Sequence, residues 1–444
     1  MKICRWSEIS ELERSEILTG GRDLSEVEAE GAALSEKVKA VLEDVKKRGD
    51  DALRYYTKKF ENRDILDFKM DPLKVTGTRL LEPDQKDALR AAFDQITAFH
   101  QLQKPERLKL ERLGYTLWRD FLSIERVGIY VPAGSAPLVS TLLMLACPAR
   151  IAGCQEIVLV TPPSKDGELD PAIAFAAELC GITEIYLLGG AQAIAAMAFG
   201  TPSLKKVSKI FGPGNSFVTE AKRQVSLDPR GCSIDMPAGP SEVLVIADGS
   251  ANAGFIAADL LAQAEHDPKA RGILVSTSED ILYQVEREVR QQVLHLSRTS
   301  ILELSVPCIK WVLAEDLKEA IGISNAYAPE HLILQTKDPM ELSKQVKNAG
   351  SVFIGPWSAE ALGDFVSGPN HVLPTAGYAR SHGGLGVESF MKSTTFQHIE
   401  DTGFLSLART AHIIGGLERL DGHQASIAIR SRFIELMKFN RGRE

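Results

Sequence analysis

Two residues in the middle of the chain, Gln263 and His266, carry side chains that bind metal ions. They lie three positions apart at the end of a helix-like run from Asn252 to His266, so a helix presents both on one face. An amide oxygen and an imidazole nitrogen together suit zinc or manganese. Two ligands do not complete a metal site. The later chain supplies further candidates in unusual settings: Glu330, His331, Asp364, His371 and His423.

An adjacent carboxylate and imidazole, Glu330 and His331, stand in a loop that runs into an apolar strand. Such a pair can divide acid–base work, because histidine titrates near neutral pH and glutamate can orient a water molecule. A histidine beside a strand is also often a hydrogen-bonded structural residue. The two residues by themselves leave both roles open.

The remaining polar candidates lie in less decisive settings. Asp364 is set in an apolar stretch, where a buried carboxylate needs a partner. His371 follows in a turn-rich polar loop, where such residues commonly satisfy backbone groups. Glu418 and His423 are five positions apart near the C-terminus, and their charge pattern alone indicates a solvated helix end.

Two glycine-rich turns each follow a predicted strand and precede a predicted helix: Gly189-Gly190 and Gly212-Pro213-Gly214-Asn215. Glycine allows the backbone to approach a phosphate group, and the start of a helix exposes unpaired N–H groups. Neither turn has the Gly-x-Gly-x-x-Gly pattern of dinucleotide-binding sites. Ligand binding and a tight strand-to-helix turn fit these residues equally well.

The elements that position these residues change in type along the chain. The first hundred residues have the helical spacing of apolar side chains. Strands and helices then alternate, which predicts parallel sheets covered by helices. A turn-rich junction from Asp235 to Pro240 separates two such α/β units, and the pattern is helical after Gly386. We predict four regions: 1–125, mainly helical and packed on the second α/β unit; 126–237, the first α/β unit; 238–385, the second; and 386–444, a helical tail.

Composition excludes several classes of protein. The chain has 444 residues and a net charge of −8 without a basic block, which argues against binding to nucleic acid or an anionic membrane. No apolar run reaches the roughly 18 residues of a transmembrane helix, and the acidic N-terminal region lacks a signal-peptide core. The six cysteines form no Cys-x-x-Cys pair and are expected to be reduced. We therefore expect a cytoplasmic protein, or one in a matrix compartment whose targeting peptide has been removed.

Eight stretches, which occur in the same order, resemble the histidinol dehydrogenase family over nearly the whole chain. They are RVGIYVPAG (126–134), GGAQAIAA (189–196), GPGN (212–215), AGPSE (238–242), DLLAQAEH (259–266), APEHL (328–332), GDFVSGPNHVLPT (363–375) and ERLDGH (418–423). Eight motifs in a shared order make a chance resemblance implausible. Pattern and resemblance together predict an α/β fold: two tandem, incomplete Rossmann-like parallel-sheet domains, a helical N-terminal region, and a helical, domain-swapped C-terminal tail.

The resemblance also implies a site. Its zinc ligands would be Gln263, His266, Asp364 and His423, the last supplied by the partner's tail, so that a homodimer shares its active sites. Its substrate contacts would be Ser241, Gln263, His266, His331, Asp364, Glu418 and His423. The NAD contacts would be Tyr130, Gln192 and Asn215, on the 126–237 domain, while the 238–385 domain would carry the zinc and the catalytic residues Glu330 and His331.

The implied reaction is a four-electron oxidation of L-histidinol to L-histidine through histidinaldehyde, with two NAD, in the last steps of histidine biosynthesis. The resemblance gives zinc the role of orienting the substrate. His331 would take the alcohol proton as hydride leaves. Glu330 would then activate water to hydrate the aldehyde. The expected partners are thus L-histidinol and a second copy of the chain, with neither nucleic acid nor membrane.

Three residues depart from the family pattern: Ala133, Phe365 and Pro369 stand where glycine, tyrosine and threonine are usual. Two alternatives remain. A relative in the same superfamily that oxidises another small polar alcohol is disfavoured, because Glu418 and His423 are retained. A non-catalytic zinc-bound dimeric scaffold is disfavoured, because Glu330 and His331 are both present.

Overall fold

A computed structural model describes residues 2–19, 24–65, 67–70, 81–132, 137–164, 167–236 and 239–441. The chain forms two compact units. The first comprises Met1–Gln103 and Ile124–Phe390, and the second comprises Lys104–Ser123 and Met391–Glu444. Ala133, one of the three departures from the family pattern, lies outside the described residues.

Strands occur in both units and are numbered in chain order. Within the described residues they are β1 (Ile3–Arg5), β2 (Lys69–Met70), β3 (Leu108–Arg112), β4 (Tyr115–Ser123), β5 (Arg126–Tyr130), β6 (Glu156–Thr161), β7 (Glu184–Leu187), β8 (Lys209–Phe211), β9 (Ser233–Ile234), β10 (Glu242–Ala247), β11 (Arg271–Ser276), β12 (Lys310–Leu313), β13 (His331–Gln335), β14 (Ser351–Ile354) and β15 (Met391–Ile399).

The α-helices are numbered in the same way. In the described ranges they are α1 (Glu11–Thr19), α2 (Leu24–Arg48), α3 (Asp50–Glu61), α4 (Pro83–Gln101), α5 (Val139–Ala152), α6 (Pro171–Leu179), α7 (Gly190–Phe199), α8 (Ser216–Leu227), α9 (Ala253–Ala264), α10 (Glu279–Gln292), α11 (Thr299–Ser305), α12 (Leu317–Tyr327), α13 (Pro339–Ser343), α14 (Glu360–Phe365), α15 (Asp401–Leu417) and α16 (Asp421–Arg441). None of these described helices combines the length and the apolarity that a membrane crossing needs.

The first unit contains two largely parallel sheets in tandem. In one, the strand order is β2-β7-β6-β5-β8-β9, and only β2 runs antiparallel to its neighbour β7. In the other, the order is β1-β12-β11-β10-β13-β14, and every pair is parallel. The central strands β5 and β10 are buried along their whole length, as expected of parallel strands covered on both faces. The predicted α/β fold with parallel-sheet domains is confirmed.

The N-terminal region divides between the two sheets. β1 extends the second sheet beside β12, and Ile17 of α1 is buried in the core of that sheet. Helices α2 and α3 instead place Val38, Leu42 and Leu53 in the core of the first sheet, with α7 and α8. The prediction that this region packs on the second α/β unit is therefore wrong for α2 and α3. An apolar stripe shows that a helix is packed, but not which sheet it covers.

The second unit is built on an antiparallel sheet of order β15-β4-β3. β15 pairs with the whole of β4, from Met391 opposite Ser123 to Ile399 opposite Tyr115. The turn between β3 and β4 needs a glycine, since Gly114 has φ +77° and a Cβ there would lie 2.3 Å from the Gly403 amide nitrogen. Helices α15 and α16 pack together after the sheet. Sequence patterns predicted a mainly helical region for 1–125 and a helical tail for 386–444, and strands β3, β4 and β15 correct that prediction.

The sequence does not predict these strands, because their residues do not alternate between buried apolar and exposed polar positions. Every residue of β3 is exposed, and β15 mixes exposed and half-buried positions without an apolar face. The sequence pattern of a strand depends on one buried side, and β3 has none.

Candidate active site

A cavity of about 200 Å³ lies between the two sheets of the first unit. From the first sheet it takes residues that follow strands, such as Thr141 after β5 and Pro213 after β8. From the second sheet it takes residues at the beginnings of strands, such as Ser241 before β10 and His331 at the start of β13. The first sheet thus presents its carboxyl end to the cavity, and the second presents its amino end.

Six of the predicted site residues line this one cavity. They are Ser241, Gln263, His266, Glu330, His331 and Asp364. Their positions in the sequence span more than a hundred residues, and the fold brings them together because strands β10 and β13 are neighbours in register. Phe365, another departure from the family pattern, also lines the cavity with a side chain that is 57% exposed.

Gln263 and His266 sit at the end of α9 but not on one helix face. The helix begins after its cap Asn252 and ends at Ala264, so His266 lies beyond the helix rather than within it. Gln263 is buried, and its amide oxygen has no hydrogen-bond partner among the described residues. The fold nevertheless keeps both side chains on the same cavity.

Asp364, in the last turn of α14, stands between two imidazoles. Its Oδ2 is 3.8 Å from His266 Nε2, and its Oδ1 is 3.8 Å from His331 Nε2. Burial raises the pKa of Asp364, and the charge of His266 opposes that shift. The carboxylate therefore connects the predicted metal ligands with the predicted base.

His331 is held so that its two ring nitrogens have different surroundings. Nδ1 lies 3.4 Å from the carbonyl oxygen of Glu242 and 3.7 Å from one carboxyl oxygen each of Glu330 and Glu360. Since a carbonyl can only accept, Nδ1 carries the proton in the neutral ring. Nε2 has no hydrogen-bond partner within the described chain. Burial lowers the pKa of His331 to about 3, so the ring is neutral with a free lone pair at Nε2.

Glu330 is a buried carboxyl group anchored by the backbone. Its Oε2 accepts a hydrogen bond of 2.9 Å from the amide N–H of Glu242. Burial raises the pKa of Glu330 well above its ordinary value, and the nearby charges of Glu242 and Asp364 raise it further. Once deprotonated, such a carboxylate is a stronger base than an exposed glutamate.

Glu360 is a site residue that the sequence patterns did not identify. It is 1% exposed, and neither of its carboxyl oxygens has a hydrogen-bond partner among the described residues. Burial raises its pKa well above the ordinary value, and the charges of Asp364, Glu330 and Asp259 add to that shift. One signal was available: Glu360 precedes Asp364 by four positions, which places both on one face of α14.

His371 contacts the backbone of Asp364. Its Nδ1 is 2.8 Å from the backbone carbonyl oxygen of Asp364, and its Nε2 is 3.2 Å from the hydroxyl of Thr141. Of the two roles open to His371, the structure shows the one in which the ring satisfies a backbone group. It also lines the cavity, so this support acts within the site.

A second, larger cavity of about 840 Å³ lies at the carboxyl end of the first sheet. Tyr130, Gln192 and Asn215, the predicted NAD contacts, all line it, beside Gly190. The Tyr130 hydroxyl accepts a hydrogen bond of 3.1 Å from the Gly190 N–H. Gln192 is buried with an amide oxygen that has no partner in the described chain, whereas Asn215 caps α8 with its own amide oxygen. The turn residues thus serve both as caps and as a cavity wall.

The Gly212–Asn215 turn separates the two cavities. Gly212 and Pro213 line the smaller cavity, and Asn215 lines the larger one. Gly212 has φ +122°, and a Cβ at this position would lie 2.0 Å from the Tyr130 carbonyl oxygen, so only glycine fits.

A buried ion pair clamps this turn. The Gly212 N–H donates to Asp235 Oδ2 at 2.8 Å, and Lys222 Nζ donates to the Gly212 carbonyl oxygen at 2.7 Å. Lys222 and Asp235 also pair directly, with side chains 5% and 2% exposed. Both backbone polar groups of Gly212 are therefore hydrogen-bonded, which fixes the turn that separates the two cavities.

Glu418 and His423 belong to the second unit. Glu418 caps the C-terminal end of α15, His423 lies in the first turn of α16, and both are exposed. The residues that line the smaller cavity all belong to the first unit. Within the described residues, no group of three His, Cys, Asp or Glu side chains is arranged to hold a metal ion.

A family model, curated relatives and a solved structure that are similar to this chain all carry the same description. A family model described as Histidinol dehydrogenase matches residues 24–431. The histidinol dehydrogenase of Bacteroides fragilis is 46% identical over 399 residues, which are 89% of this chain and 93% of the relative. That of Vibrio parahaemolyticus is 45% identical over 432 residues, covering 97% and 98% of the two chains. The crystal structure of histidinol dehydrogenase from Elizabethkingia anophelis superposes with a TM-score of 0.87 at 42% identity, over 90% of this chain and 93% of the other.

Proposed function

Because this chain belongs to the histidinol dehydrogenase family, we propose that it oxidises L-histidinol through histidinaldehyde to L-histidine, with two NAD, in the last steps of histidine biosynthesis. The chain is an NAD-dependent dehydrogenase of that family. One observation carries the proposal: the Nε2 of a neutral His331 has no hydrogen-bond partner among the described residues, beside a cavity that Gln263, His266 and Asp364 also line.

The metal of the proposed site is zinc, held by Gln263, His266, Asp364 and, from the partner subunit, His423. The residues present fit this group, since Gln263 offers a buried oxygen that no other described residue hydrogen-bonds and His266 lies close to Asp364. A nitrogen and oxygen donor set suits zinc. When bound, the ion supplies an anchor for the imidazole and amine of histidinol.

In the alcohol step, His331 acts as the general base. Its Nε2 accepts the proton of the substrate hydroxyl, while the hydride on the same carbon moves to the nicotinamide ring and the carbonyl forms. The resulting imidazolium keeps its Nδ1 proton directed at the Glu242 carbonyl oxygen and at the carboxyl groups of Glu330 and Glu360. These three oxygens hold the ring in one orientation and stabilise its positive charge.

In the aldehyde step, Glu330 activates water. It takes a proton from a water molecule as the water oxygen adds to the aldehyde carbon, which leaves the anion of the hydrate. The carboxyl group would then form as that carbon gives its hydride to a second NAD. The raised pKa of Glu330 suits this work, because it makes the deprotonated group a stronger base. The hydrogen bond from the Glu242 N–H keeps the carboxyl group in place.

The cofactor of the proposed reaction occupies the larger cavity, against Tyr130, Gln192 and Asn215. Support comes from the amide oxygen of Gln192, which has no partner in the described part of the chain and can accept from a cofactor hydroxyl. The Gly212–Asn215 turn borders both cavities, so a nicotinamide held in the larger cavity would reach the substrate carbon beside this turn.

A second copy of the chain completes the site in this proposal. Helices α15 and α16 carry many exposed apolar side chains, which mark a surface for protein contact. Their exposed apolar residues include Ile413, Ile414, Leu417, Ile429, Phe433 and Leu436. A partner that covers this surface explains how the exposed Glu418 and His423 serve a site, as substrate contacts supplied in trans.

Steady-state NADH production tests the proposal. We expect turnover with L-histidinol, two NADH per molecule consumed, and much lower rates with other small amino alcohols. Removal of metal by a chelator should abolish turnover, and added zinc should restore it. Turnover of a different small alcohol in preference to histidinol would contradict the proposed substrate, and a stoichiometry of one NADH would contradict the second oxidation.

A further inference from the structure

Glu61, the last residue of α3, places a carboxyl group in the wall of the larger cavity. Its Oε1 lies against Gly189, since a Cβ built there would be 3.3 Å from that oxygen. The carboxyl group makes no hydrogen bond to other described residues. Burial raises the pKa of Glu61, and the charge of Arg63 lowers it. A desolvated acceptor that lines a ligand cavity is available for hydroxyl donors of a ligand.

The sheet order shows which end of the cofactor meets Glu61. In the proposed function, the nicotinamide would lie beside the Gly212–Asn215 turn, which follows β8 and borders both cavities. Glu61 and Pro162 both lie beside Gly189 in the wall of the larger cavity, and Pro162 and Gly189 follow β6 and β7. In the order β7-β6-β5-β8, β7 is three strand spacings from β8, or about 14 Å. Glu61 is therefore at the end of the cavity that receives the adenosine half.

We propose that Glu61 accepts hydrogen bonds from the hydroxyls of the adenosine ribose and thereby makes the enzyme select NAD over its 2′-phosphorylated form. This inference rests on the proposed function. A carboxylate can accept from two neighbouring hydroxyls, whereas a 2′-phosphate in the same place removes one donor and adds like charge. Selectivity then comes from repulsion of the wrong cofactor as much as from attraction of the right one.

Two lysines in the same cavity could attract a 2′-phosphate once Glu61 is replaced. Lys37 and Lys59 both line it, and Lys59 is two residues before Glu61 on α3. With the carboxyl group removed, these two cations of the cavity wall and the nearby Arg63 remain to attract a 2′-phosphate. Glu61→Ser is therefore expected to gain use of NADP, and not merely to lose use of NAD.

The experiment compares Glu61→Ser and Glu61→Gln with the matched control Asp64→Asn. Asp64 lies three residues beyond Glu61, pairs with Lys58 on the surface and does not line the cavity. With histidinol as substrate, we expect Glu61→Ser to raise the ratio of kcat/KM for NADP to that for NAD at least tenfold, with the loss for NAD in KM. Fluorescence titration with NADH and NADPH, without histidinol, should show the same shift in affinity. The control should leave both ratios unchanged.

Deamino-NAD, which lacks the adenine amino group, distinguishes the two donors that the adenosine half offers. If Glu61 binds the ribose, Glu61→Gln weakens NAD and deamino-NAD equally. An unaltered cofactor ratio in Glu61→Ser, or a Glu61→Gln effect that vanishes with deamino-NAD, would overturn the inference. If the enzyme does not oxidise histidinol at all, the proposed function fails, but the titrations still decide the role of Glu61.

Discussion

His331 shows how a single residue acquires a function from its surroundings. Three oxygens face its Nδ1 and none hydrogen-bonds to its Nε2 in the described chain, so only one nitrogen is open to a substrate proton. Burial keeps the ring neutral until that proton arrives. The same ring on a solvated loop would have neither the fixed tautomer nor the fixed direction.

His331→Asn is expected to lower kcat by about a thousandfold, because general base catalysis contributes factors of this size and an amide cannot take the alcohol proton. His331 is not among the proposed zinc ligands, so the variant should retain its metal. Stopped-flow NADH formation and metal analysis of the same sample measure both effects. NADH formation at the normal rate would exclude the assigned role.

Glu330→Gln is expected to slow the oxidation of histidinaldehyde about a hundredfold while slowing the alcohol step much less, since only hydration of the aldehyde needs the second base. Single-turnover reactions that start from histidinol and from histidinaldehyde separate the two steps. Equal slowing of both steps would show that Glu330 acts mainly by holding His331.

Sequence patterns identified the residues with unusual chemistry but not those defined by burial. Gln263, His266, Glu330 and Asp364 could be selected because amide, imidazole and carboxyl groups stood in apolar or turn-rich settings. Glu360 was not selected, because an acidic residue in the first turn of a helix is ordinary at a surface and its spacing of four from Asp364 does not by itself show burial. Its importance arises only because α14 is pressed against α9 and Glu360 is excluded from water.

The turn between the two cavities depends on an ion pair, Lys222 with Asp235, that lies outside the turn. Lys222 is on α8 and Asp235 follows β9, and together they bind both polar groups of Gly212. The turn between β8 and α8 was predicted from the sequence, but the ion pair that holds it was not. Lys222 and Asp235 are ten and 23 positions away from Gly212, too far for a local pattern to connect them.

Asp235→Asn is expected to lower the free energy of unfolding by about 3 kcal/mol, because it leaves the buried charge of Lys222 without its partner. The double variant Lys222→Met with Asp235→Asn should be less destabilised. Both should lose turnover, since the turn loses its fixed position in each. Urea unfolding and NADH assays measure the two properties, and full activity in the stable double variant would exclude a clamping role.

A second ion pair joins α2 to the end of α8. The hydrogen bond from Lys46 and then that from the Arg230 N–H lower the pKa of Asp228 to about 2, below its ordinary value. The pair therefore stabilises the fold above about pH 4, and this contribution is lost as pH falls towards 2.

Asp228→Asn is expected to lower the free energy of unfolding by about 1 kcal/mol at pH 7, with a difference that shrinks as pH falls below 4. Urea unfolding at a series of pH values measures this. Asp64→Asn, which removes an exposed pair with Lys58, is the control and should cost close to nothing. A difference that stays constant from pH 7 to pH 3 would contradict the linkage.

In the proposed dimer, each active site contains residues of both chains. Glu418 and His423 are exposed on the second unit, while the rest of the proposed site belongs to the first. Neither their spacing nor their local charge pattern predicts this role, because a site shared between subunits leaves no mark within one chain. Only the family resemblance provides it.

Mixing two inactive variants tests the shared site. His331→Asn and His423→Ala should each be inactive, but a hybrid dimer contains one site with both histidines intact. Random exchange of subunits should therefore restore about a quarter of wild-type activity. Sedimentation should show a dimer throughout. No recovery in a mixture that demonstrably exchanges subunits would place His423 in the site of its own chain.

The opposite orientation of the two sheets at the smaller cavity has a consequence for evolution and engineering. Loops that leave the strands of the first sheet shape the cofactor side, and segments that enter the strands of the second sheet carry the substrate side. Apart from the segment between β9 and β10, which leaves the first sheet and enters the second, the two sets of loops belong to different sheets. New cofactors and new alcohols can accordingly be selected one at a time, by diversifying one set of loops while the other keeps its chemistry.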